Sequence, residues 1–181
     1  AGPANQRIEF REGFFLYYEK LWEAINLRND IQHFQDGFFM QDISTFSEGS
    51  IREAILNAIG HRDYQNPGSV FIRQFPEKIE ITSPGGLPAG VTTDNIIDRQ
   101  MPRNRRMAEA FAKCGLVERS GQGANRMFEE AIEQSKSLPD FGNTDEFQVC
   151  LVLDGQVEDI EFLKFLEKIS KDRPKSFSTY E

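Results

Sequence analysis

Three side chains able to do chemistry recur at four-residue steps: Glu53, Asn57 and His61. On a helix this spacing stacks them along one face. At about 100° per residue, that face lies roughly opposite a stripe of Ile51, Ala54, Ile55, Ala58 and Ile59. A carboxylate one turn from a carboxamide suits a magnesium–nucleotide site. The amide oxygen is a hard ligand, and Mg²⁺ takes few protein ligands beside phosphates and water. The carboxylate can then orient and deprotonate an attacking water. A structural reading competes. Ser50 with Glu53 three residues on fits a capping box, which alone accounts for the acid. Asn57 is then a solvated helix residue.

Two glycine segments are the next candidates. Ser83-Pro84-Gly85-Gly86-Leu87-Pro88 follows a strand pattern, and its glycines would let backbone N–H groups approach a ligand closely. The plainer alternative is a turn that needs positive φ. Ser120-Gly121-Gln122-Gly123-Ala124-Asn125 opens a helix pattern, and a glycine-rich helix start is an anion site. It is neither a dinucleotide fingerprint, lacking the third Gly, nor a P-loop, lacking Gly-Lys-Ser/Thr.

Other signals are weaker. His61-Arg62-Asp63 resembles a kinase catalytic loop, but Asn66 falls three residues after the Asp where five are needed, so His61 reads as a structural histidine at a helix end. Cys114 continues an apolar helical stripe and reads as a buried small hydrophobe. Two Cys and two His so scattered make zinc a poor candidate. Arg103, Arg105 and Arg106 form a local basic cluster that could touch a triphosphate or nucleic acid; a solvated helix start is the default.

The elements that must position these groups follow from periodicity. Phe14, Tyr18, Leu21, Trp22 and Ile25 predict a first helix, and a Phe-rich stretch with a turn at Asp36-Gly37 comes next. A second helix spans about 51–60. Strands at 69–75 and 78–82 pair across Pro76-Glu77, with Ile79 and Ile81 on one face. Helices are expected at 106–114 and, introduced by Gly121-Gln122-Gly123, through Met127, Phe128, Ala131 and Ile132, then a strand at 147–153 with Phe147, Val149, Leu151 and Leu153 on one side. A last helix covers about 158–170, and 171–181 reads as a tail. Together they predict an α+β fold, a two-layer sandwich with helices on one face of a mixed, largely antiparallel sheet.

The chain has 181 residues, 21 Lys and Arg against 29 Asp and Glu, and a net charge of -8. That length predicts one domain over about 8–170, with 1–7 an added or disordered start. With 39 % apolar and 28 % charged residues, a packed core is expected. The negative charge argues against gripping a phosphate backbone by bulk charge. No run approaches the ~18 apolar residues of a membrane span. Two cysteines are too few for a disulfide framework, so a cytoplasmic setting is expected.

Four motifs in order carry a family resemblance. They are Arg52-Glu53-Ala54-Ile55-Leu56-Asn57-Ala58-Ile59-Gly60-His61-Arg62-Asp63-Tyr64, then Ile79 to Pro88, Pro102-Arg103-Asn104, and Gly115 to Gly123. Together they resemble the RecG-like regulators often labelled ATP-dependent DNA helicases, whose domain is similar to the GHKL (Bergerat-type) ATPases. The resemblance implies ATP and Mg²⁺ as cofactors, Glu53 as general base and Asn57 as metal ligand. It implies Ser83, Gly85 and Gly86 by the adenine, Gly121, Gln122 and Gly123 by the phosphates, and a nucleotide lid between them; Arg103 joins the cofactor-binding candidates. Ser83 stands where GHKL enzymes place an Asp, and a hydroxyl accepts a hydrogen bond without charge. The expected function is an ATP-binding, ATP-hydrolysing domain of a transcriptional regulator. DNA would be bound through other domains, and a homodimer is a further expectation. The alternative is a degenerate scaffold that binds no nucleotide. No Walker A lysine is present, so helicase activity is not expected of this chain.

Overall fold

The computed structural model describes residues 6–36, 39–99, 101–117 and 123–172. A 3₁₀ turn at Phe14–Leu16 leads into α1 (Tyr18–Asn26), followed by β1 (Ile31–Asp36) and β2 (Phe39–Ser44). Then come α2 (Glu48–Gly60), β3 (Phe71–Gln74), β4 (Lys78–Pro84), α3 (Arg105–Lys113), α4 (Gly123–Glu133), β5 (Gln148–Asp154) and α5 (Ile160–Asp172). The fold is α+β, with helices layered on antiparallel sheet, as the periodicities predict. No helix among the described residues is long and apolar enough to cross a membrane.

The main sheet has the order β3-β4-β5, and both pairings are antiparallel. At the turn between β3 and β4, the Phe75 N–H donates to the Lys78 carbonyl at 2.8 Å. Strand β4 is central and pairs with β5 along its whole length, from Lys78 opposite Asp154 to Pro84 opposite Gln148. Its alternation is physical: Ile79 and Ile81 are buried, while Lys78 and Glu80 form an ion pair at 2.8 Å on the other face. Helix α2 lays Ile51, Ala54, Ile55 and Ala58 into the same core as Ile79, Ile81, Leu151 and Leu153. Helix α4 packs on α2 and adds Met127, and α3 adds Phe111, whose ring meets Phe14 and Phe15.

Several boundaries differ from expectation. The Phe-rich stretch is a hairpin, β1 paired to β2 in a six-residue antiparallel register. No apolar alternation marks it, because the inward Gln32 is held by hydrogen bonds instead. Its amide donates to the Gly155 carbonyl at 2.7 Å and accepts from Val157 N–H at 3.3 Å. Helix α2 begins three residues earlier than its apolar stripe does. Phe147 precedes β5 and is 69 % exposed, so the inward face of that strand is Leu151 and Leu153. Helix α5 runs to Asp172, and the rest of the expected tail lies outside the described residues.

Candidate functional site

Helix α2 is built from both ends. Its N-cap is Ser47, whose Oγ accepts from the Ser50 N–H at 3.1 Å. The Glu130 carboxylate of α4 also sits there, accepting from Ser47 Oγ, from Ser50 Oγ at 2.6 Å and from Ser50 N–H at 3.1 Å. A carboxylate at a helix N-terminus is favoured by the helix dipole. Burial raises the Glu130 pKa, but hydrogen bonds from Ser47, Ser50 and Arg126 outweigh it, and the net shift is downward. This arrangement corrects the capping-box expectation: Ser50 lies inside the first turn, and the capping acid comes from another helix rather than from Glu53.

One turn further along, the Asn57 amide donates to Glu53 Oε1 at 3.0 Å, with both side chains half-buried. The helix ends at His61, whose N–H donates to the Asn57 carbonyl at 2.9 Å. Burial and the nearby Arg103 charge lower the His61 pKa, which favours the neutral ring.

The second wall is the end of β4. Ser83 is buried and its Oγ donates to the Ala58 carbonyl of α2 at 2.7 Å, fastening the strand to the helix. Gly85 has φ +93°, and a Cβ there would stand 2.6 Å from Asp63 Cβ. At Gly86 a Cβ would stand 2.8 Å from the Asp145 and Glu146 carbonyl oxygens. The two glycine N–H groups are already engaged, Gly85 with the Phe147 carbonyl at 2.7 Å and Gly86 with the Glu146 carbonyl at 3.2 Å. The expectation that these amides face a ligand is therefore corrected. The glycines exist to let the loop continue the β4–β5 ladder against a closely approaching backbone.

Residues 87–99 and 101–104 lie between this loop and α3. Their middle is held by local bonds, such as Thr92 N–H to Asn95 Oδ1 at 2.8 Å and Asp98 N–H to the Asn95 carbonyl at 3.0 Å. Their end is held by side chains. Arg103 donates through Nη2 to the Gly86 carbonyl and lies 3.8 Å from Asp63 Oδ2 through Nη1. Asn104 donates to the Gly60 carbonyl at 3.0 Å and the Arg62 carbonyl at 2.7 Å.

Between the walls lies a cavity of about 420 Å³. Glu53, Asn57 and His61 reach it from α2, and Ser83 and Gly86 from the end of β4. Val91, Ile96, Arg99 and Met101 close it from the crossing segment, with Phe111 and Phe128 among its apolar walls. The carboxylate and carboxamide thus share one hollow with the β4 loop. Arg103 is not among the lining residues, and neither is Gly85; each shapes the wall from behind. Gly121 and Gln122 lie outside the described residues, and Gly123 opens α4. Among the described residues no group of three or more His, Cys, Asp or Glu could hold a metal. A magnesium ion needs no such group where phosphate and water complete its shell, and an amide oxygen beside a carboxylate fits that role.

Cys114 corrects another expectation. It is exposed at the C-cap of α3, one residue past the helix end, while Phe111 carries the buried stripe. Asn104 and Asp63 are the residues whose importance periodicity does not reveal. Their partners are carbonyls and a guanidinium far along the chain, and only their places in the motifs Arg52 to Tyr64 and Pro102-Arg103-Asn104 hint at them.

With this geometry in place, comparisons give a consistent picture. Residues 68–151 match the family model described as "Putative ATP-dependent DNA helicase recG C-terminal". The match covers β3, β4, the glycine loop, α3, α4 and part of β5, and begins after Glu53 and Asn57. No curated protein matches the chain. Among solved structures, the crystal structure of the DIP2311 protein from Corynebacterium diphtheriae is similar at 26 % identity and a TM-score of 0.72. The alignment covers 81 % of this chain and 30 % of that one, so the chain spans under a third of that protein's length. Residues 68–151, under half of the chain, are thus similar to the RecG C-terminal family that the motifs resemble.

Proposed function

We propose that the cavity binds ATP with magnesium and hydrolyses it, within a DNA-associated transcriptional regulator. The observation that carries this reading is the joint presence of Glu53, Asn57, Ser83 and Gly86 around one hollow. Asn57 would hold the metal through its amide oxygen, and Glu53 would take a proton from a water attacking the terminal phosphoryl group. Magnesium would supply charge neutralisation on the phosphate oxygens. Ser83 Oγ, with its proton spent on the Ala58 carbonyl, keeps acceptor capacity for an exocyclic amino group. The net charge of -8 disfavours a reading in which this domain itself grips DNA by bulk charge.

Calorimetry with Mg-ATP and a non-hydrolysable analogue tests the reading. Binding that is lost in Asn57→Ala, with turnover lost but binding kept in Glu53→Gln, is the expected result. An intact folded chain that takes up neither nucleotide at millimolar concentration rejects it.

A second reading is a scaffold without nucleotide. It is favoured by the engagement of both Gly85 and Gly86 N–H groups with the 145–147 backbone. It predicts no nucleotide-dependent change in melting temperature.

A further inference from the structure

Asn104 occupies the N-cap of α3 yet makes no side-chain cap bond there. An Asn at this position ordinarily uses its oxygen to accept from an N–H of its own first turn. Here the amide instead spends its hydrogens on the Gly60 and Arg62 carbonyls at 3.0 and 2.7 Å, groups at the end of α2. Those carbonyls belong to the helix end and the residues just beyond it, where intrahelical donors have run out. The preceding residue points the other way. Arg103 binds the Gly86 carbonyl and faces Asp63, and its Nη1 lies 2.8 Å from where a Cβ on Gly85 would be. Two consecutive side chains thus hold the two walls of the cavity, one each.

We propose that Arg103 and Asn104 are positioning residues: a two-sided clasp that fixes the spacing between α2 and the Gly85–Gly86 loop, and through it the affinity of the cavity. Neither side chain touches the ligand in this account. The clasp works beside two direct ties between the walls, Ser83 Oγ to the Ala58 carbonyl at 2.7 Å and Asp63 N–H to the Pro84 carbonyl at 2.8 Å. It also anchors the end of the segment that carries Val91, Ile96, Arg99 and Met101 into the cavity. Asn104 is the informative member, because it is uncharged and cannot act on a phosphate by attraction. The effect on affinity rests on the nucleotide reading above; the effect on the walls does not.

The test combines two readouts on the 181-residue chain and its Arg103→Ala, Arg103→Lys and Asn104→Ala variants. The first is amide hydrogen exchange by NMR at Gly85, Gly86 and, as a core reference, Ile79 and Ile81. The second is calorimetric affinity for a non-hydrolysable Mg-ATP analogue. Loss of charge-assisted or paired carbonyl bonds predicts roughly tenfold or greater weakening of the analogue in both alanine variants. Exchange at Gly85 and Gly86 should accelerate by about tenfold or more in Arg103→Ala, while Ile79 and Ile81 keep their protection. Arg103→Lys keeps the charge but cannot span Gly86 and Asp63 with a planar fork, so it should fall the same way. Wild-type behaviour of Arg103→Lys, or weakened affinity with glycine exchange unchanged, overturns the clasp and makes Arg103 a ligand contact. Unchanged affinity in Asn104→Ala overturns it as well. If the wild-type chain does not bind the analogue, the nucleotide reading fails, and unchanged glycine exchange in Arg103→Ala is then what sinks the clasp.

Discussion

Substituting Gly85 by Ala should be among the most damaging single changes in this protein, and the cost divides into two parts. Gly85 sits at φ +93°, and forcing an L-residue into left-handed backbone costs roughly 1–2 kcal/mol. The added methyl then meets Asp63 Cβ at 2.6 Å and Arg103 Nη1 at 2.8 Å. Asp63 cannot retreat cheaply, since its N–H is bonded to the Pro84 carbonyl at 2.8 Å and its Oδ1 holds the Gln65 N–H at 2.9 Å. Overpacking of this sort adds about 1–3 kcal/mol. The sum, on the order of 3–4 kcal/mol, is a large fraction of the roughly 5–15 kcal/mol that holds a domain together. At about 2–4 °C per kcal/mol for a domain of this size, the melting temperature should fall by on the order of 10 °C. Gly90 provides the control. It too has a positive φ, +82°, but nothing lies within 4 Å of its missing Cβ. Gly90→Ala should therefore lose only the conformational part, roughly 1–2 kcal/mol. Paired urea denaturation of the two variants reads the difference directly. Equal destabilisation of both would refute the close approach of Asp63 and Arg103 to the loop.

Three further outcomes follow from contacts elsewhere in the fold. Ser47→Ala removes the cap of α2 and one donor to Glu130, and should cost about 1–2 kcal/mol in chemical denaturation. Glu130 has its pKa held below the ordinary 4.5, so its contribution is complete above that pH and fades as the pH falls through it. A Glu130→Gln variant should accordingly show a shallower acid loss of stability than the wild type, and superimposable acid profiles would contradict this. Lys136 gives the same sign of pH dependence in a higher window, here because its charged form is disfavoured in the fold. Burial lowers its pKa to about 8 against the attraction of Glu130 and Asp154, although its ammonium donates to the Ser44 and Thr45 carbonyls at 2.7 and 3.0 Å. The unfolded chain holds that proton to higher pH, so stability should rise between about pH 8 and 10.5, a rise that Lys136→Met should lack.

Much of the framework is legible in the residues themselves. The stripe Ile51/Ala54/Ile55/Ala58 gives α2, and Ile79 with Ile81 gives the core face of β4, because apolar burial imposes its period directly on sequence. The hairpin β1–β2 escapes this logic. Its inward Gln32 is satisfied by backbone groups of residues 155 and 157, a partnership more than a hundred positions away that no local pattern encodes. The site divides in the same manner. Four-residue spacing puts Glu53 and Asn57 on one face, and both reach the cavity. The capping-box reading of Glu53 fails because the true cap, Ser47, is completed by Glu130 from a later helix. Arg103 falls inside a visible basic cluster, so charge suggests a ligand; the structure gives it the Gly86 carbonyl and the Asp63 carboxylate as partners, which charge alone does not reveal. Glycines at 85 and 86 advertise close approach, but sequence does not say whether ligand or backbone does the approaching.

The most direct measurement is a calorimetric titration of the folded chain with a non-hydrolysable Mg-ATP analogue, run in parallel on Asn57→Ala. The account predicts saturable heat from the wild type and at least tenfold weaker binding in the variant, as expected for loss of a metal-holding oxygen. Equal heats from both proteins would remove Asn57 from the site, and no heat from either would leave the cavity without its nucleotide.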